Sequence, residues 1–503
     1  MANPAPLELN LKEILTAVPG RLIHADVAFT SLGVATPYSE MVYDSRKVSP
    51  HSIFLCIKGE RVDGHDFIAE VIKSGAALII GDNEAKLATV ASQFPKTQFY
   101  VVNDSLKALQ TLATFYRRKF SIPTIGLTGS SGKTTTKDLV ASIFKNTGPT
   151  LVTEGTLNNH WGVPQMVMRL RPEHRAATFE MGTSGFGEID LLTSICQPDI
   201  GYMTTIGASH LENLKNEEGV LIAKRELFDW IVEHGTNRVL IFNVDNPHLE
   251  KLHQEFVARK ESTIKLLTIT ATKNYGDIRL VGRKSLGLEH RYGWEYEFAT
   301  PWGAIKGRLP LPGMHNLFNA MSAATLTLAS GIATVQDVVA GLDHPEISKL
   351  RSNIFKTPQG TVVYDDSYNA NPTSVSALFE AARNIRTTPG AGLSKTVAVV
   401  GDMLELGPNS GAHHREMGRR AAQDGVDILL ATGAFAHEWV EGFCEIKGVT
   451  AQGAALEFSS HDDLFTALTE EVQARPNETL VLVKGSRGAK MDQIVERIKT
   501  SKA

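Results

Sequence analysis

The segment "TIGLTGSSGKTTTKDLV", Thr124 to Val140, leaves few folds open. Ile122 to Leu127 is an apolar run bounded by turn formers and reads as a buried strand. Gly129 and Gly132 bracket Ser130 and Ser131 and leave the backbone free to curl. Lys133, Thr134 and Thr135 then open a helical pattern with Leu139, Val140 and Ile143 as its apolar positions. A buried strand, a glycine turn and a helix in that order belong to a parallel sheet covered by helices. The helix N-terminus turns backbone N–H groups and the positive end of its dipole toward the loop, which suits an anion. Lys133 would neutralise β- and γ-phosphates, and the Thr134 hydroxyl would ligate Mg²⁺. Leu127 stands where the usual G-x-x-x-x-G-K-[ST] loop has its first glycine. The alternative is a Gly/Ser turn that contains a lysine by chance, and the strand–turn–helix setting disfavours it.

The same alternation runs through the chain. At 503 residues about three domains are expected, at ~150 residues each. In the first, 1–119, "SIFLCIKG" and "AALIIG" read as strands and "SLKALQTLATFYRRKF" as a closing amphipathic helix. The second, 120–345, adds strands at Ala176 to Gly182, Ile200 to Gly207 and Arg238 to Asp245. Between about Leu286 and Leu311 its pattern changes to aromatic-rich alternation, as in antiparallel hairpins, and a helix follows from Asn316 to about Ser330. The third, 346–503, repeats strand–helix pairs in "TVVYDDS", "TVAVVGDM", "VDILLATG" and "TLVLVKGS". The expected class is α/β: an N-terminal α/β domain, a central P-loop parallel-sheet domain with a small antiparallel sheet, and a Rossmann-like C-terminal domain. No G-x-G-x-x-G follows the first strand of that last unit, which argues against a dinucleotide site there.

Charge and composition remove several classes. Lys+Arg 51 against Asp+Glu 55 is too balanced for a nucleic-acid binder. No apolar run approaches the roughly 18 residues of a membrane span, and "MANPAPLELN" lacks the features of a signal peptide. A cytoplasmic location is expected. Cys56, Cys196 and Cys444 have neither metal nor disulfide spacing and read as core thiols.

Ligands of doubly wound sheets gather at the C-terminal ends of strands, and several polar residues fall there. Glu180 ends "AATFE", and with Thr134 it offers the carboxylate and hydroxyl that Mg²⁺ accepts; a helix cap or surface ion pair is the plainer role. His210 follows "YMTTIGAS" and by itself is as readily structural. Lys224 lies in "EEGVLIAKRELFDWI", where an ordinary lysine is a solvated surface charge. "YDDSYNANP", Tyr364 to Pro372, is poor core material and good hydrogen-bonding material. Lys484 and Arg487, in "KGSRGAKMD", suit a carboxylate, or else an ordinary loop.

Taken together, these motifs resemble the Mur ligases, ATP-dependent amide-forming enzymes of peptidoglycan precursor synthesis. The resemblance runs in order through "YDSRKVSPHSIFLCIKGERVDGHDF", "TGSSGKTTT", "TLNNHWGVPQ", "FEMGTSGFGEID", "GASHLE", "AKRELF", "GMHNLFNA", "DDSYNANP", "GDMLELG" and "KGSR". It implies that Gly129, Ser130, Ser131, Gly132, Lys133, Thr134 and Thr135 hold ATP, with His315, Asn316 and Asn319 near the nucleotide. Asp366 and Tyr368 would lie near the ribose and phosphates, and Arg351 would reach the γ-phosphate. Thr134, Glu180, His210 and an N-carboxylated Lys224 would serve Mg²⁺; Lys133, Lys224, His210 and Arg351 would be catalytic. Ser45, Arg46, Asn158 and Asn159 would hold the UDP-sugar-peptide, and Lys484 and Arg487 the incoming acceptor.

"TGSSGKTT", "DDSYNANP" and "GDMLELG" favour the member that joins D-alanyl-D-alanine to UDP-N-acetylmuramoyl-tripeptide, acting as a monomer without nucleic acid or membrane insertion. The alternative is the sibling that adds a single third residue, whose "DNPR" acceptor motif is not found. A folate polyglutamate ligase, a P-loop kinase and a nucleotide-gated scaffold are the remaining rivals. Thr205, Ser209, Asp492 and the "SKLRSN" setting of Arg351 depart from the family pattern and bear on local contacts.

Overall fold

The computed structural model describes residues 5–500 apart from 24–34, 60, 287–291, 389 and 449–452. Three sheets follow one another along the chain. The first has five strands in the order Gly20–Ile23, Gln98–Val102, Leu78–Gly81, Ile53–Leu55, Met41–Val42. Only the Gly20–Ile23 edge runs antiparallel to its neighbour. Helix Ser105–Arg117 joins this sheet to the next. Its last residue, Arg117, is buried and gives its guanidinium to the carbonyls of Cys196 (2.8 Å) and Phe120 (2.6 Å) and to Thr124 Oγ1 (2.6 Å). A buried guanidinium needs that many acceptors, so it fixes how the two units meet.

The second sheet has nine strands: Gly303–Leu309, Trp294–Thr300, Ile278–Ser285, Lys265–Thr270, Val239–Asn243, Ile200–Met203, Thr124–Thr128, Ala177–Glu180, Leu151–Val152. The three antiparallel strands continue the parallel sheet through Ile278 and Arg279, paired with Ile269 and Thr270, so they form one sheet with it. The antiparallel part also begins at Ile278, ahead of its aromatic-rich stretch; part of that expected stretch, 287–291, lies outside the described residues. Every residue of Thr124–Thr128 is buried, which explains why no charged residue alternates with Ile125 and Leu127. Its neighbours Ala177–Glu180 and Ile200–Met203 are parallel to it, so the chain following all three strands emerges at one edge.

The third sheet has the order Asn353–Lys356, Val362–Asp365, Thr479–Lys484, Lys395–Val400, Ile428–Thr432, Ala455–Phe458. Five strands are parallel, as the strand–helix alternation requires. Asn353–Lys356 is an added antiparallel edge that its polar, half-exposed sequence did not announce. Cys56 and Cys196 are buried, Cys444 is half-buried, and all three thiols are free. Among the described residues no helix is long and apolar enough to cross a membrane.

Candidate active site

The three central strands end at a cleft of about 590 Å³ that the C-terminal sheet closes from the other side. Its floor is the glycine turn. Gly129 holds φ 144° and Gly132 φ 84°, and a Cβ on Gly129 would fall 1.9 Å from Thr204 Oγ1. Only glycine allows that approach. Ser130 laces the turn to the neighbouring loop: its amide donates to the Thr205 carbonyl (2.8 Å), its hydroxyl to Gly207 (3.0 Å), and Ser209 donates to its oxygen (2.9 Å). Ser209, one of the departures, thus steadies the loop. Ser130, Ser131, Gly132, Lys133, Thr134 and Thr135 line the cleft; Gly129 shapes it from behind.

Lys133 opens helix Lys133–Phe144 and bends back to donate to the Gly129 carbonyl. Desolvation lowers its pKa; nearby Glu180 opposes that shift and Arg351 adds to it. Thr134 Oγ1 donates to Glu180 Oε1 (3.2 Å), which also accepts from the Asn158 side-chain amide (2.8 Å). Glu180 is buried, and its Oε2 has no partner.

Lys224 overturns the expectation of a solvated charge. On helix Glu217–His234 it is 1% exposed, and among the described residues its ammonium has no hydrogen bond or ion pair. Burial pushes its pKa far down, Lys133 pushes the same way, and Glu188 resists. Glu188, a cleft-lining residue, is not among the expected site residues. Burial alone would raise its carboxyl, but hydrogen bonds from the Ser184 amide (2.8 Å) and Thr183 hydroxyl (3.0 Å) hold it below the usual range. Lys224 is not among the lining residues and stands behind them.

The far wall comes from the C-terminal unit. Arg351, Ser352, Asp366, Tyr368, Asn369, Asn371 and Lys484 line the cleft with His315, Phe318 and Asn319. The Arg351 guanidinium lies 4.1 Å from the Tyr368 ring centroid. Asn371 caps helix Pro372–Arg386 through its oxygen and donates its amide to the Ser130 carbonyl (3.3 Å), bridging the two units. His315 is pushed down to about 4, by desolvation first and the Lys484 charge second, against the pull of Asp366.

Matches to known proteins cover this whole arrangement. Profiles described as the Mur ligase family catalytic domain, the Mur ligase middle domain and the Mur ligase glutamate ligase domain match residues 37–117, 127–327 and 350–487. The chain is 32% identical to the UDP-N-acetylmuramoyl-tripeptide–D-alanyl-D-alanine ligase of Bacillus subtilis over 97% of its length and 98% of that protein. The chain belongs to the Mur ligase family. The Escherichia coli ligase of the same name is 31% identical, over 98% of each chain. Among solved Mur ligases, MurF from Acinetobacter baumannii superposes with a TM-score of 0.83 at 29% identity, covering 99% of this chain and all of that one. MurF of Thermotoga maritima in complex with ADP gives 0.72 at 25% identity, covering 92% and 97%.

Not every residue implied by the Mur ligase resemblance reaches the cleft. Asn316 is fully buried, donating to the Pro312 carbonyl (2.8 Å) and accepting from Asn319 (3.4 Å), so it supports Asn319. Asn158 and Asn159 line the cleft, but Asn159 spends its oxygen on the amides of Trp161 (3.1 Å) and Gly162 (2.9 Å). Ser45 and Arg46 sit on the N-terminal unit outside the lining, with Arg46 83% exposed and paired with Asp44. Lys484 is buried, paired with Asp366 and donating to the Asn369 carbonyl (3.0 Å), so its charge is already matched. Arg487 is exposed and pairs with Asp492 at 3.0 Å. His210 holds left-handed backbone, φ 53°, and its Nδ1 lies 2.6 Å from Glu405 Oε2 without the alignment of a ring hydrogen bond. Among the described residues no three His, Cys, Asp or Glu side chains converge as a metal cluster. What is present fits a hard divalent cation shared with phosphates: the Thr134 hydroxyl and the orphaned Glu180 oxygen, the remaining ligands being phosphate and water.

Proposed function

We propose that this Mur ligase joins D-alanyl-D-alanine to the C-terminal carboxylate of UDP-N-acetylmuramoyl-tripeptide, with ATP hydrolysed to ADP and phosphate. Curated relatives of that name match nearly the whole chain. The observation that carries the reading is the facing of Lys133, Thr134 and Glu180 by Arg351 across one cleft. A carboxylate in water does not acylate an amine, because its oxygen is a poor leaving group. A carboxylate oxygen attacks the γ-phosphorus, ADP leaves, and an acyl phosphate results. The amine of the dipeptide adds to its carbonyl carbon, loses a proton, and phosphate departs to leave the amide.

Transfer of a phosphoryl group is mainly a matter of alignment and charge neutralisation. Lys133 and Arg351 face the phosphates from opposite units, and the turn amides and helix N-terminus hold them in place. Thr134 and Glu180 would hold Mg²⁺, which when bound neutralises phosphate charge. The lowered pKa of Lys224 favours the neutral amine, the form that takes up CO₂ as an N-carboxylate; the resulting negative charge would sit beside Lys133. His210, which lines the cleft, would join this group; Lys484 and Arg487 would receive the dipeptide only on exchanging their present partners, Asp366 and Asp492, for it. Ser45, Arg46, Asn158 and Asn159 form the sugar-peptide side. In this reading the units 1–119, 120–345 and 346–503 each hold one substrate, and the enzyme acts as a cytoplasmic monomer; the succession of three sheets along the chain supports the division into units.

The test is phosphate release from Mg·ATP with UDP-N-acetylmuramoyl-tripeptide, with and without D-alanyl-D-alanine, followed by mass spectrometry. Dipeptide-dependent release and a product heavier by two alanyl residues are expected. Release driven instead by a single amino acid would overturn the acceptor assignment.

A further inference from the structure

The arginine that completes the cleft sits in neither sheet. Arg351 lies between helix Val335–Asp343 and the edge strand Asn353–Lys356. Both of its neighbours hold left-handed backbone, Leu350 at φ 64° and Ser352 at φ 46°. Neither is glycine, and L side chains stay in that region only where the surroundings impose it.

The C-terminal unit imposes one half. Asp366 Oδ1 accepts from the Ser352 amide (3.1 Å), and the Tyr368 amide donates to the Leu350 carbonyl (3.2 Å). The central unit imposes the other from an unexpected place. Asp138 Oδ2 accepts from the Ser348 amide (2.9 Å), and Ser142 Oγ accepts from the Glu346 amide (2.9 Å). Asp138 and Ser142 lie on helix Lys133–Phe144, whose first turn forms the phosphate cradle. Both are buried, and neither lines the cleft. Asp138 is itself pinned, because its Oδ1 lies 2.7 Å from the buried Lys137 ammonium, which donates to the Thr153 carbonyl (2.9 Å). A carboxylate so held directs its free oxygen at the connection instead of at its own helix.

We propose that Asp138, assisted by Ser142, is a positioning residue for Arg351: it ties the connection to the cradle helix three residues upstream, so that Lys133 and Arg351 are placed by one rigid element. This rests on the reading of Arg351 as a phosphate-facing group. Misplacing a charged group by an ångström costs up to about a hundredfold in rate, whereas a role in folding alone would lower the amount of active enzyme and nothing more.

The test is a double-mutant cycle. Asp138→Ala, Arg351→Ala and the double variant are assayed for kcat and for KM of ATP, with melting curves for each. Asp138→Ala is expected to lower kcat roughly 10- to 100-fold and to add less than about threefold on the Arg351→Ala background. An equal loss on both backgrounds overturns the proposal while leaving the role of Arg351 standing. No loss from Arg351→Ala alone overturns the underlying reading and this proposal with it. If Asp138→Ala does not fold, the same cycle is run with Ser142→Ala, which removes one anchor and leaves the Lys137–Asp138 pair in place. A smaller loss in kcat that again vanishes without Arg351 supports the proposal, and a loss that persists refutes it.

Discussion

Lys224→Met should make this protein more stable and at the same time inactive. The side chain is 1% exposed and its ammonium has no partner among the described residues. A buried polar group without a hydrogen bond costs about 1–3 kcal/mol in proteins, and an unbranched methionine fills much the same space. Helix Glu217–His234 should therefore gain about 1 kcal/mol against opening, the low end of that range, because the Nζ atom itself is not fully shut off from solvent. The sign with pH follows from the depressed pKa. Unfolding releases the amine to bind a proton that the folded state refuses, so the penalty is largest at low pH. It shrinks as pH rises toward the unfolded value of about 10.4 and is gone above it; the proton-linked part of the advantage of Met shrinks with it, and the part due to the unbonded neutral amine remains. Amide hydrogen exchange in this helix is the suitable assay, because a chain with three sheets need not unfold in one step. It should be run in CO₂-free buffer without divalent cation; adding bicarbonate and Mg²⁺ should narrow the gap, since only lysine can be carboxylated. Ligase turnover should fall by roughly 100- to 1000-fold, the size of loss that follows removal of one charge-stabilising group. A Met variant destabilised by 1 kcal/mol or more, or one that keeps its turnover, would refute this account of Lys224.

Gly129→Ala should abolish measurable nucleotide binding in calorimetric titration, since its Cβ would fall 1.9 Å from Thr204 Oγ1 at φ 144°; relief of both faults costs about 2–4 kcal/mol. His315, held at about 4, should make the protein lose stability as pH falls from about 6.5 to 4, because only the unfolded chain takes up that proton. His315→Gln should flatten that part of the urea-midpoint profile, and an unchanged slope would count against the assignment. Arg117→Ala should cost about 3 kcal/mol or more by denaturation, because it strands the carbonyls of Cys196 and Phe120 in the core. A loss below 1 kcal/mol would mean that water replaces the guanidinium.

The sequence by itself determined what is local. The cradle from Thr124 to Lys133 is written in an apolar run, two glycines and a helical pattern, and the structure places those elements where the pattern does. Strand–helix alternation likewise specified three α/β sheets, since a period of 2 or 3.6 residues is carried by neighbours along the chain. Tertiary structure decided which of the marked residues face one another. Asn316 and Asn319 share a helix, yet one faces the core and the other the cleft. Lys224 reads as a surface lysine because its own helix says nothing about what packs over it. Lys484 meets Asp366 across 118 positions, and Asp138 meets Ser348 across 210. Such pairings depend on how whole sheets and helices are set against one another. The energy that sets them is the burial of many apolar side chains, so no short stretch of sequence encodes the charge that each polar group will find.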